Sequence, residues 1–205
     1  LDGIWWILVT GSIWNQLPEK HGKWNSVYRF HNRWAQKGVF GTILKNLCAK
    51  RNKGEFKIID ATHCKAHQDA YRHPQDPYNR GLGKAKGGRN SKLHACVNED
   101  GKVLRIFLRP GNEHEIRTAT EALGIVRNKV VLADRGYDSD KLRQWVKENG
   151  GIAVIPPKAN RKNYVFYLSE IGRLRRVIEN LFARLKRHRR VATRYDRLEA
   201  IPKPV

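Results

Sequence analysis

The sequence predicts an α/β fold, a mixed five-stranded sheet flanked by helices and preceded by a helical N-terminal region. Three observations predict it. Apolar residues recur at helical spacing through the first 48 positions; five short, β-branched apolar runs follow; and amphipathic stretches of period 3.6 separate the last of these runs and end the series.

In the first stretch Ile4, Ile7, Leu8 and Trp14 are followed by Trp24, Val27, Tyr28, Phe30, Trp34 and Val39, with Gly22-Lys23 dividing at least two helices. The apolar opening LDGIWWILVTGSIW reads as a buried helix. The run FKIIDAT is a buried strand with Asp60 near its C-terminal end. From Gln68 to Asn90 glycine, proline, tyrosine and basic residues alternate without period, and GLGKAKGGRN reads as a loop suited to tracking a phosphate backbone. SKLHACVN and KVLRIFLR are strands joined at Glu99-Asp100-Gly101, a hairpin turn signal. A helix over Glu113 to Leu123 comes next, then the strand KVVLAD ending on Asp134 and the turn Arg135-Gly136-Tyr137. A helix from Asp138 to Asn149 stops at Gly150-Gly151, and IAVIP is the fifth strand. The last helix runs from Ser169 to His188 with Ile171, Leu174, Ile178, Leu181 and Leu185 on one face. This order of elements suits a ribonuclease H-like core.

With 205 residues the chain can bury a core of its own. Its 41 lysines and arginines against 19 acidic residues give a net charge of +22, which calls for a polyanionic partner. Cys48, Cys64 and Cys96 are odd in number and widely spaced, so no disulfide framework is expected and a reducing compartment is. No run of apolar residues reaches the length of a membrane span. The chain has no methionine and starts with leucine, which raises the expectation of a fragment.

Charge alone does not separate an enzyme from a basic scaffold; carboxylates do. Asp60 and Asp134 each end an apolar strand, where an aspartate is costly to bury unless it has a task. Either one alone would be read as a cap on the following turn. Glu179 stands one residue beyond the apolar stripe of the last helix, with Arg175 and Lys186 on the same flank. A few carboxylates on rigid elements are what two hard divalent ions require to attack a phosphodiester.

The motifs IIDATHCKAH, SKLHACVNEDGKV, LADRGYDSDKLR and RRVIENLFARLKRHRRVATRYDR, in that order, resemble bacterial insertion-sequence transposases of the DDE class, especially the insertion-sequence-five group. The opening helical region is similar to that group's as well. The resemblance implies that Asp60, Asp134 and Glu179 are the catalytic and metal-binding carboxylates, with Mg2+ or Mn2+, two ions, as cofactor. It implies cleavage at element ends and strand transfer into target DNA, by a homo-oligomer acting on terminal inverted repeats in the bacterial cytoplasm and nucleoid. Arg175, Lys186, Arg187, Arg189 and Arg190 are then the expected DNA contacts, and His67, Arg135 and Tyr137 candidates near the site. The group's terminal signature places Tyr, Arg, Glu and Lys on one flank; Arg175, Glu179 and Lys186 match, whereas the Tyr position is Gly172. Members also continue past RYD with an apolar helix, whereas here Pro202 and Pro204 follow, so a truncated copy of low stability is expected.

The domain reading is therefore a helical region over 1–50, a catalytic domain over 54–196 and an irregular tail over 197–205. Competing readings are a ribonuclease H-like DNA nuclease and an inactive DNA-binding remnant. Zinc is not expected at His63, Cys64 and His67, because HCKAH lacks paired ligand spacing, and LGKAKGGRN lacks the spacing of a nucleotide-binding loop. His94, on an alternating strand, is expected to be a hydrogen-bonded sheet histidine.

Overall fold

The computed structural model describes residues 1–49, 54–70, 81–85 and 87–196. The tail at 197–205 and residues 71–80 of the Gly- and Pro-containing segment lie outside the described residues.

Three helices open the chain: α1 (Asp2–Thr10), α2 (Trp24–Gln36) and α3 (Val39–Ala49). Gly22, at φ +93°, turns the chain into α2, where the sequence pattern placed the break. Helix α1 is not buried all round. Only Gly3 and Ile7 are enclosed, and Trp5 is 58% exposed, because one flank of the helix faces water. The aromatic residues of this region interlock: Trp14 meets Tyr28 edge-on at 5.2 Å between centroids, Phe30 lies 4.6 Å from Trp34, and Trp34 meets Phe40 at 5.7 Å.

The sheet is formed by β1 (Phe56–Ala66), β2 (Gly83–Ala85), β3 (Gly88–Val97), β4 (Val103–Pro110), β5 (Val130–Leu132), β6 (Ile152–Val154) and the two-residue β7 (Thr193–Arg194). Its five principal strands run β4-β3-β1-β5-β6, with β3 antiparallel to β1 and β4, and β5 parallel to β1 and β6. This is the mixed ribonuclease H-like sheet that the order of elements predicted. The short strand β2 pairs with the start of β3, before its pairing to β4 begins, and β7 with the end of β1, beyond its pairing to β5.

Several strands differ from the sequence reading. β5 and β6 stop at Leu132 and Val154, so that Asp134 lies two residues beyond its strand rather than at its end. GLGKAKGGRN is a hairpin, not a loop, with Gly83 to Ala85 paired to Asn90 to Gly88. Gly83 is where a Cβ would collide with the backbone of Gly111 and Asn112, so close packing, not turn formation, calls for glycine there. Strand β1 continues through Thr62 to Ala66, because these residues pair with the equally polar start of β3, Leu93 back to Asn90. Asp60 therefore lies within the strand.

Helices cover both faces. Against one pack α4 (Glu115–Leu123) and α5 (Asp140–Glu148), through Ala119, Ala122, Leu123, Leu142 and Val146 onto Ile59, Cys96, Val131 and Ala133. The other face meets the last helical run, α6 (Ser169–Gly172), one turn of 3-10 helix at Arg173–Arg175, and α7 (Arg176–Lys186). The expected long helix is thus tightened at its centre. Its whole apolar stripe, Ile171, Leu174, Ile178, Leu181 and Leu185, lies on Ile58, Leu93, Ala95, Val97 and Leu132. Cys64 and Cys96 are buried thiols on opposite faces.

Asp138 and Ser139 do not cap α5 with their side chains. The Asp138 carboxylate is instead enclosed, accepting from the Lys158 amide at 2.8 Å and from Arg143 and Arg161 at 2.9 and 2.7 Å. Burial alone would raise its pKa; the Lys158 amide and the two guanidinium groups hold it below the usual carboxylate value. The short helix α8 (Arg189–Ala192) packs against α1. There Trp5 meets His188 edge-on at 5.0 Å, and Arg190 donates to the Ser12 carbonyl at 2.9 Å.

Ile178 is fully buried between α7 and the central strands. Ile178→Ala should cost about 2–5 kcal/mol of unfolding free energy, read from urea titration with an unchanged denaturant slope.

Candidate active site

The site follows from strand register. The parallel pairing of β1 with β5 ends at Ile58↔Leu132. Asp60 and Asp134 are each two residues further along, share the parity of Ile58 and Leu132, and so project toward the face that α7 covers. Beyond this point β5 gives way to a 3-10 turn over Arg135–Tyr137, whereas β1 and β3 continue together. The resulting ledge holds two carboxylates side by side.

Neither is occupied as a cap would be. Asp134 precedes the 3-10 turn but makes no side-chain capping bond, and its Oδ1 is sealed from solvent without a hydrogen-bond partner among the described residues. Asp60 is 16% exposed and accepts one bond through Oδ1, from the Ala61 amide at 2.7 Å. Burial pushes its pKa up to about 6. The Ala61 amide and Arg175 act to lower it, while the charges of Asp134 and Glu115 add to the rise.

Glu179 approaches from α7. Arg175 Nη2 stands 3.5 Å from Asp60 Oδ2 and 3.7 Å from Glu179 Oε1, so these two oxygens are no farther apart than the two lengths together. The guanidinium lies between them. Among the described residues no three histidine, cysteine, aspartate or glutamate side chains stand close enough to share one ion. The donors nevertheless fit a hard divalent cation. All are carboxylate oxygens, and one, Asp134 Oδ1, is a buried oxygen without a hydrogen-bond partner among the described residues.

The other expected residues are spread more widely. Tyr137 is 1% exposed and belongs to the core beside α4 and α5; burial, then the charges of Glu115, Asp60 and Asp134, push its hydroxyl pKa well up. It is a floor to the site, not a surface contact. Arg135 is exposed at the ledge. His67 is not near the site. It follows the far end of β1, roughly 20 Å along the strand from Asp60, where it pairs with Asp69 at 3.2 Å and lies 4.8 Å from the Tyr195 ring. His94 is buried, stacked on Phe107 and bonded to Thr118 at 3.2 Å, with burial lowering its pKa to about 4.

Of the basic residues, Lys186, Arg187 and Arg189 are exposed at the end of α7 and start of α8. Arg175 turns inward to the carboxylates. Arg190 is only 8% exposed, bonded to Ser12 and Asp196 and lying over the rings of Trp14 and Tyr195, so packing between the chain's first and last helices occupies it. The charge pattern alone gave no means of telling it from its neighbours. At Gly172, where the family signature would have tyrosine, the hydroxyl of Tyr167 fills the place of a side chain. Glu115 was missed by sequence reasoning, because an acidic residue in the first turn of a helix is ordinary.

Because the pKa of Asp60 is raised by folding, its contribution to stability is fully present below its unfolded value of 3.8 and is lost as pH rises through about 6. Without divalent ions, Asp60→Asn should therefore stabilise the protein at pH 8 by on the order of 1–3 kcal/mol. That advantage should vanish near pH 4, as measured by paired denaturant titrations.

Residues 51–201 match the family described as "Transposase DDE domain", and residues 1–44 match "Putative transposase of IS4/5 family". A Sinorhizobium fredii protein named y4sN is 36% identical over 89 residues, 43% of this chain and 63% of that protein. A Brucella ovis protein named "Putative transposase for insertion sequence element IS6501" is 34% identical over 109 residues, 52% of this chain and 84% of that one. Among solved structures, the Mos1 strand transfer complex matches with a TM-score of 0.39 and 12% identity over 97% of this chain and 66% of that one. With its catalytic-domain match spanning most of its length, this chain belongs to the transposase DDE-domain family.

Proposed function

We propose that this chain is the catalytic part of a DNA transposase that cuts DNA at the ends of an element and joins the freed 3′-hydroxyls to target DNA. The observation that carries this reading is the placement of Asp60 and Asp134 each two residues beyond the last parallel pair, with Glu179 facing Asp60 across Arg175. Asp60, Asp134 and Glu179 would hold two divalent ions, Mg2+ or Mn2+. When bound, such ions neutralise the phosphodiester and make water or a hydroxyl nucleophilic near neutral pH.

The protein's own groups do the rest. Asp60 is fixed by its pairing to Ala95 of β3, and Asp134 by its place between the end of β5 and the turn over Arg135–Tyr137, which limits their movement as charge shifts on the substrate. Arg175 offsets part of the negative charge of Asp60 and Glu179 and sets the spacing between them. Tyr137 closes the site beneath and keeps water from that side. The DNA backbone is drawn by the net charge of +22, with Arg175 within the site and Lys186, Arg187 and Arg189 extending the basic surface from α7 toward the far end of β1. Arg190 makes packing contacts instead. Working as a homo-oligomer on element ends, the protein would act on nucleoid DNA in the bacterial cytoplasm; among the described residues no helix is long and apolar enough to cross a membrane.

The deciding experiment is a strand-transfer assay with labelled terminal-repeat DNA and Mg2+ or Mn2+. Asp60→Asn, and separately Asp134→Asn, should lower cleavage by orders of magnitude while DNA binding persists. Cleavage without joining would recast the chain as a nuclease, and near-normal cleavage by either variant would remove that residue from the site.

Neutralising Lys186 and Arg189 together should reduce the slope of log affinity against log salt by about 0.9 for each DNA phosphate that is no longer neutralised, with little dependence on DNA sequence. An unchanged slope would move the DNA path off this end of α7.

A further inference from the structure

Glu115 begins α4, on the face of the sheet opposite α7, and is held there from below. Its Oε1 stands 3.2 Å from the Nζ of Lys92, a lysine side chain only 9% exposed that also donates to the Glu113 carbonyl at 2.9 Å. A buried ammonium with two oxygen partners fixes the start of the helix and engages one carboxylate oxygen only.

The other oxygen faces the ledge. A Cβ added at Gly136 would meet Asp134 Oδ1 at 3.0 Å, Asp134 Oδ2 at 3.5 Å and Glu115 Oε2 at 3.5 Å. The bare α-carbon of Gly136 thus leaves a small space bounded by both carboxylates. One of the oxygens bounding it is the Asp134 Oδ1 that is buried and without a hydrogen-bond partner among the described residues. Gly136 is not in the left-handed region, so backbone conformation does not require glycine here; the space does. The charge of Glu115 is also felt at Asp60, where it acts in the same sense as that of Asp134.

We propose that Glu115 is a fourth carboxylate of the cation site, aimed by Lys92 across the space at Gly136 toward Asp134. This rests on the metal-dependent reading given above. Its oxygen increases the site's hold on divalent ions, which keep part of their water and so accept a carboxylate acting through that water as well as one in direct contact.

The test is Mn2+ binding to the full chain without DNA, followed by calorimetry, for the wild type, Glu115→Gln and Asp60→Asn, with melting temperatures taken in the absence of metal. Glu115→Gln should weaken Mn2+ binding about tenfold or more. If Glu115 served only as the partner of Lys92, the melting temperature would fall and Mn2+ affinity would stay at the wild-type value, which overturns the proposal. Should the lone Lys92 charge prevent Glu115→Gln from folding, the double variant Lys92→Met, Glu115→Gln removes that charge and decides in the same way. Asp60→Asn separates the two levels. If it weakens Mn2+ binding while the Glu115 variant does not, only the fourth carboxylate falls; if neither weakens it, the cation site itself falls, and the role of Glu115 with it.

Discussion

Two carboxylates held side by side, largely out of water, repel each other, and the neighbourhood of Asp60 and Asp134 is organised around that repulsion. Pairing of β1 with β5 up to Ile58 and Leu132 brings them to the same end of the sheet. Relief comes from a cation placed against Asp60, the Arg175 guanidinium, and from one amide bond at Ala61. The remaining imbalance appears as the raised pKa of Asp60. A site stable at neutral pH without a ligand would have been neutralised more fully. The residual strain is the kind that a bound cation removes, and it explains why burial of these aspartates is tolerated in a fold whose net stability is small.

The same constraint accounts for the arrangement of the helices. Glu179 reaches the ledge only if α7 lies flat on the sheet, and the stripe from Ile171 to Leu185 ensures that it does, by burying one apolar face against Ile58 and Leu132. The residues that fix the helix and the strands are thus immediate neighbours of those that carry charge. Ile58 and Leu132 are the last parallel pair before the two aspartates, and Ile178 adjoins Glu179. Packing here determines chemical geometry within one or two residues.

Much of this was legible in the sequence. The five main strands, the hairpin at Asp100-Gly101 and the stripe of α7 follow from period and turn chemistry, which act locally. What escaped notice depends on partners distant in the chain. Strand β1 runs past Asp60 because THCKA finds an antiparallel neighbour in β3, a partner distant in the chain that its own mixed polar sequence does not announce. The hairpin at Gly83 was hidden because its glycines suggested a turn, whereas Gly83 is required by the close approach of Gly111 and Asn112. Arg190 differs from Arg189 only in the direction its side chain takes, inward to Ser12 and Asp196. Glu115, in the first turn of α4, resembles any acid placed to suit a helix dipole until Gly136 is seen beside it.

The exchange at Gly172 has an evolutionary side. With the Tyr167 hydroxyl seated where a Cβ would begin, a side chain at 172 and the ring of Tyr167 compete for one volume. A lineage moving between the two arrangements cannot do so by independent steps: a bulky residue gained first at 172 expels the ring, and loss of the ring first leaves a void beside a glycine. The two positions are therefore expected to drift as a linked pair, so that a residue gained at 172 should come with a change at 167.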